Sequence, residues 1–171
     1  MDGNYSRLPA LLDTVQGMTI LRENSKNDDS TDRVPGVEWF RFNGVAATNL
    51  YVNGNLWVGF GTSTEQLKIW RRDAAVYNVW HQQGTVAGLA FFKLRVQGYL
   101  HFSTTAAEHS ITYELILLQD GRMVLNLCQP PASARNENAA PVLWASTRLK
   151  PVQTGSTSPG ANSCSNQNFV T

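Results

Sequence analysis

The chain has 171 residues, a formal net charge of +1, 42% hydrophobic residues and only 16% charged residues, with five Trp, seven Phe and five Tyr. That length suits one domain with appended segments and a sizeable core, and the near-neutral balance gives no electrostatic case for nucleic acid or an anionic membrane surface. Low charge beside many aromatics points to extensive buried or contact surface, as in a piece of an assembly or an extracellular module.

Residues 1–35 read as a polar N-terminal arm. Within it Leu8–Val15 has the pattern of one or two helical turns, Met18–Leu21 that of a short strand, and Glu23–Asp32 the composition of a solvated loop. The opening residues lack the basic-then-apolar run of a secretory signal, and no apolar run approaches a membrane span, so the expectation is synthesis in a cytoplasm. An arm of this kind either stays disordered or orders against a neighbouring subunit.

After Pro35-Gly36 the pattern becomes that of short strands. Val37–Phe42 reads as a strand, followed by a turn at Asn43-Gly44. Leu50, Val52, Leu56, Val58 and Phe60 alternate at period two around Asn53-Gly54, which predicts a hairpin with a two-residue type I′ turn. Gln66–Trp70 and Val76–Trp80 follow as strands joined by Arg71-Arg72-Asp73, and Gln82–Gly84 reads as a turn. In Phe91–Val96 the residues Phe92, Leu94 and Val96 fall on one face and Lys93 and Arg95 on the other, with Gly98 marking a bulge or bend. Ile111–Leu118 and Arg122–Leu127 form a second hairpin turned by Asp120-Gly121. Residues 131–171 read as an irregular C-terminal segment, with a last strand around Val142–Thr147 and a Ser/Asn-rich tail from Pro151 onward. The expected fold is all-β, an antiparallel sandwich or jelly roll of about eight strands over residues 36–130.

Little here carries reaction chemistry. His81, His101 and His109 lack metal-ligand spacing, and Glu108 beside His109 points the wrong way for a shared ion. The carboxylates Glu65, Asp73, Glu108, Glu114 and Asp120 are scattered, so no acid–base pair can be chosen. No phosphate loop or nucleophile elbow is present. The expectation is a non-enzyme with no cofactor and no metal. Cys128 and Cys164 allow one disulfide that would pin the tail to the core. Trp70, Arg72, Tyr77 and Trp80 are the candidate ligand-binding residues, because aromatic faces beside hydrogen-bonding groups hold sugar rings. Alternating aromatics also build sandwich cores, and aromatics with Arg also build subunit interfaces.

Tyr51–Gly61, Leu67–Asp73 with Gly84-Thr85, and Tyr113–Arg122 resemble segments of small all-β domains found in Gram-positive gut bacteria and the phages that infect them. The Tyr113–Arg122 hairpin is also distantly similar to the close of nidogen-type extracellular sandwiches. The resemblance spans about residues 37–130 and implies adhesion or a structural, receptor-facing part of a virion. The leading expectation is therefore a virion structural protein of a tailed bacteriophage. It would decorate the capsid or form part of a tail fibre, attach through its arms to other virion proteins, and form a homo-oligomer with a trimer favoured. The alternative is an extracellular or cell-surface carbohydrate-binding module that recognises a host-surface glycan.

Overall fold

The alternation dictates antiparallel pairing, and the computed structural model is an all-β sandwich; it describes residues 17–70, 73–86, 88–129, 144–145, 150–155 and 165–170. Seven strands form the larger sheet. Their spatial order is β1 (Thr19–Arg22), β8 (Ala75–Val86), β9 (Leu89–Tyr99), β10 (Ser110–Leu118), β11 (Arg122–Gln129), β14 (Ser165–Val170) and β13 (Lys150–Gly155). Five form the smaller sheet, in the order β12 (Trp144–Ala145), β7 (Leu67–Lys68), β6 (Trp57–Phe60), β5 (Asn49–Asn53) and β2 (Thr31–Pro35). A separate hairpin joins β3 (Arg41–Phe42) to β4 (Val45–Ala46). The sheets thus draw strands from both sides of residues 36–130, and residues 150–155 and 165–170, expected as tail, are strands.

The core lies between the sheets. Phe92, Leu94 and Val96 of β9 point into it as the alternation predicts, with Tyr113, Leu115 and Leu117 of β10 beside them. Leu50, Val52, Val58 and Phe60 meet them from the smaller sheet, and the Phe42 ring stacks on Phe60 at 4.5 Å. Each such fully buried side chain contributes about 1.5–3 kcal/mol relative to exposure. Burial without a hydrogen bond raises the pKa of the Tyr113 phenol well above its ordinary value, so the ring serves as core filling.

The turns correct the sequence reading in three places. Asn43 (φ 52°) and Gly44 (φ 80°) form the two-residue turn with two positive φ angles, on the small β3–β4 hairpin. The β5–β6 hairpin instead has a longer connection, closed by Leu56 N–H donating to the Asn53 carbonyl, and it is Leu56 that takes a positive φ of 59°. Gly54 is needed there for space, since a Cβ would lie 1.8 Å from the Asp28 carbonyl oxygen. Gln82–Gly84 is not a turn: β8 runs through it, and Gly84 makes room for the Phe91 ring, 2.8 Å from where a Cβ would stand. The reversal comes at Gly88, at φ 79°. The irregularity expected at Gly98 falls on the partner strand, where the β8–β9 register shifts between Val76 and Asn78 and leaves Tyr77 as the extra residue.

Candidate functional site

Strands of the larger sheet point alternate side chains away from the core, and their register assembles those side chains into rows. Ile20 pairs with Trp80, Trp80 with Arg95, Arg95 with Glu114, and Glu114 with Asn126, so five strands contribute to one row. A second row is Gln82, Lys93, Ile116 and Val124; a third is Asn78, Gln97 and Thr112. Asn78 Nδ2 donates to Gln97 Oε1 at 2.9 Å, and Tyr99, in phase with Gln97, takes the Tyr77 ring edge-on at 5.3 Å. This outward face mixes polar, aromatic and apolar side chains, where an antiparallel sheet with one solvated face would show polar residues alone.

Its centre is charged and enclosed. Lys93 Nζ and Arg95 NH1 donate to the same Glu114 Oε1, at 3.0 and 2.9 Å, and Lys93 and Glu114 are fully buried. Taking such charges out of water is tolerated only where they pair closely, and two cations here share one carboxylate oxygen. Glu114 Oε2 has no hydrogen-bond partner, and neither does either amide atom of Asn126 across the strand pair. Leaving such groups unpaired costs about 1–3 kcal/mol each. Exposure rises along the row, from the enclosed Glu114 and Asn126 to the half-buried Arg95 and Trp80 and to Ile20 at 52%. Phe91, Ile116, Leu118 and Val124 form a small apolar cluster beyond the charged centre.

Of the four residues expected to bind a ligand, the structure brings two to this face. Trp80 stands in the main row, and Tyr77 packs against Tyr99 at its end. Trp70 is 3% exposed and belongs to the core, so its ring has no free face for a sugar. Arg72, like Arg71, lies outside the described residues. Sequence reasoning placed Lys93 and Arg95 opposite the core but missed their convergence on Glu114 and Asn126. The available signal was a charged residue in the outward phase of the otherwise apolar Ile111–Leu118, yet the register that aligns it with Trp80 has no signature in spacing.

A second cluster sits where the chain enters β8, beside the segment that links β1 to β2. The carboxylates of Asp28, Asp29 and Asp73 lie within 4.8 Å of one another. Hard cations favour such oxygen sets, but Lys26 Nζ already bonds Asp28 at 2.8 Å while lying 5.5 Å from the Phe102 ring centroid. Asn55 Nδ2 donates to Asp29. Nearby, His101 Nδ1 lies 2.9 Å from Ser103 Oγ on an exposed loop, and the His101 and His109 rings are 6.0 Å apart. His81 stacks near Phe92 at 6.2 Å, and burial lowers its pKa.

Cys128 of β11 is disulfide-bonded, and Cys164, the other cysteine of the sequence, lies outside the described residues. No helix among the described residues is long and apolar enough to cross a membrane. Compared with protein-family models, curated proteins and solved structures, the chain finds no match.

Proposed function

We propose that the chain is a non-enzymatic virion structural protein of a tailed bacteriophage, a capsid-decoration or tail-fibre component that self-assembles and presents its sandwich outward. The observation that carries this reading is the origin of the edge strands. Among the described residues the outermost strands of the two sheets are β1 and β13, and β12 and β2. All four come from the segments before residue 36 and after residue 130. An edge strand offers unpaired backbone groups to another chain, and a terminal strand at an edge can be donated to or received from a neighbour. Ile20 and Leu21 of β1 are among the most exposed large apolar residues described, at 52% and 39%. The disulfide at Cys128 suits the oxidising surroundings of a released particle or cell surface.

Light scattering on the full-length chain over a range of concentrations tests the proposal. The expected mass is a closed multiple of the monomer, threefold for a fibre or decoration trimer. Ile20→Lys should lower that mass while changing the unfolding free energy by no more than about 0.5 kcal/mol, as for an exposed position. A monomer at every concentration would sink the assembly reading. A second reading, a carbohydrate-binding module, is favoured by the aromatic and polar face that holds Tyr77, Trp80 and Tyr99.

A further inference from the structure

We infer that residues 8–15 of the N-terminal segment seat an apolar stripe on the outward face of the larger sheet of their own chain, whichever functional reading holds. That face is buried although it points away from the core. Lys93 and Glu114 are fully buried, and Ile116, Leu118, Val124 and Asn126 are at most 3% exposed. Among the described residues, the apolar cluster Phe91, Ile116, Leu118 and Val124, with Val86 against it, comes from β8–β11 alone. A single sheet layer cannot exclude water from its own face, so a second layer lies over it. The described strands all belong to the two sheets or to the β3–β4 hairpin, which leaves the cover to the segments outside them.

Only one of the longer segments has the composition of a cover. Residues 130–141 and 156–164 contain no Leu, Ile, Val, Met, Phe, Tyr or Trp. Val142 and Leu143 lead directly into β12 of the smaller sheet, and Leu149 into β13, three strands from β10. In residues 1–16, by contrast, Leu8, Leu11, Leu12 and Val15 recur at the spacing of one helical face. Pro9 falls in the first turn of that pattern, where proline is tolerated.

The position of the chain and its dimensions agree with this seat. Thr19 pairs with His81, so the chain before β1 leaves the sheet edge alongside Gln82. There Gly17 takes a φ of 79°, a value suited to glycine, and turns the backbone. A Cβ on Gly17 would stand 3.5 Å from Gln82 Nε2, so the turn lies against that side chain. Gln82 is the first member of the outward row Gln82, Lys93, Ile116 and Val124. The row crosses three strand intervals, roughly 14 Å. Eight helical residues extend about 12 Å, enough to carry the stripe from Gln82 across to the apolar cluster.

The test places a benzophenone photo-cross-linker at position 12 of the full-length chain and maps its products by mass spectrometry. An equal mixture of unlabelled and isotope-labelled chains separates products within one chain from products between two. The expected result is cross-linking to peptides of β9–β11 within one chain. Leu11→Glu should raise the fluorescence of an added apolar dye severalfold by uncovering the cluster, whereas Ala10→Glu, on the opposite side of the same turns, should leave it unchanged. If L11E fails to fold, the cross-link alone decides. Cross-links to the smaller sheet, or none to β9–β11, overturn the inference. Products of mixed isotopic mass would give the face to a second copy, and equal dye responses from L11E and A10E would remove the stripe from the interface; either result overturns it as well.

Discussion

Arg22 and Asp32 tie the two sheets together at one edge. Arg22 ends β1 in the larger sheet and Asp32 is the second residue of β2 in the smaller; Arg22 Nε and NH2 donate to Asp32 Oδ2 and Oδ1, each at 2.7 Å. Asn27 Nδ2 adds a third bond to Oδ2 at 3.2 Å. The Arg22 hydrogen bond holds the Asp32 carboxyl below its ordinary value against the opposing effect of burial, and the same bond raises the Arg22 pKa. A carboxylate whose folded pKa is depressed stabilises the fold fully above its unfolded value, near pH 4, and loses that contribution as pH falls through the lower folded value. Both side chains are about one-fifth exposed, which discounts the pair to on the order of 1–2 kcal/mol. Urea unfolding of Asp32→Ala should show that deficit at neutral pH and a shrinking gap below about pH 4. A gap that persists unchanged in acid would assign the loss to packing instead of charge. Nothing in the loop-like composition of Glu23–Asp32 announces this fork, because it depends on two strands from different sheets meeting at an edge.

Hairpins show which part of an element is legible in a sequence and which is not. Asn53-Gly54 and Asp120-Gly121 look alike, and both do mark reversals. Their glycines are there for different reasons. Gly121 takes a φ of 90° with nothing within 4 Å of an added Cβ, so the constraint is conformational. Gly54 has no such φ; its constraint is the Asp28 carbonyl 1.8 Å from an added Cβ, a contact with a segment twenty-six residues away in sequence (54 − 28). Composition signals a turn, but only tertiary contact says what the glycine does. Gly121→Ala should therefore cost about 1–2 kcal/mol of backbone strain. Gly54→Ala should cost about 2–4 kcal/mol, because a backbone segment must move. Chemical denaturation of both variants decides it, and equal losses would mean that the Asp28 approach relaxes freely. The same limit explains β8. Gln82–Gly84 has turn-forming residues, yet Gly84 lies inside a strand because the Phe91 ring of the neighbouring strand occupies its side-chain position.

For the whole molecule, the consequential fact is that the terminal segments close the sheets. Strands β14 and β13 extend the larger sheet beyond β11, although Ser165–Val170 is rich in Asn and Gln and lacks the apolar alternation that identifies a strand. The two-sided burial of the central strands was equally hidden: Ser110–Leu118 is buried at every position, so its outward polar residues could not be read as solvated. Pairing with β11 stands in for the missing pattern, from Arg122 with Val170 to Leu127 with Ser165. The disulfide at Cys128 lies at the end of that ladder. A link between the two cysteines of the sequence closes a span of 36 residues (164 − 128). Restricting the unfolded chain in that way is worth about 3–4 kcal/mol. Reduction, or Cys128→Ser, should therefore lower the unfolding midpoint. It should also accelerate amide exchange in β13 and β14 before it affects β8–β10, whose pairings lie away from the cysteine. If exchange rises uniformly across the larger sheet, the terminal strands are integral to one cooperative unit, and the picture of exchangeable edge strands fails with it.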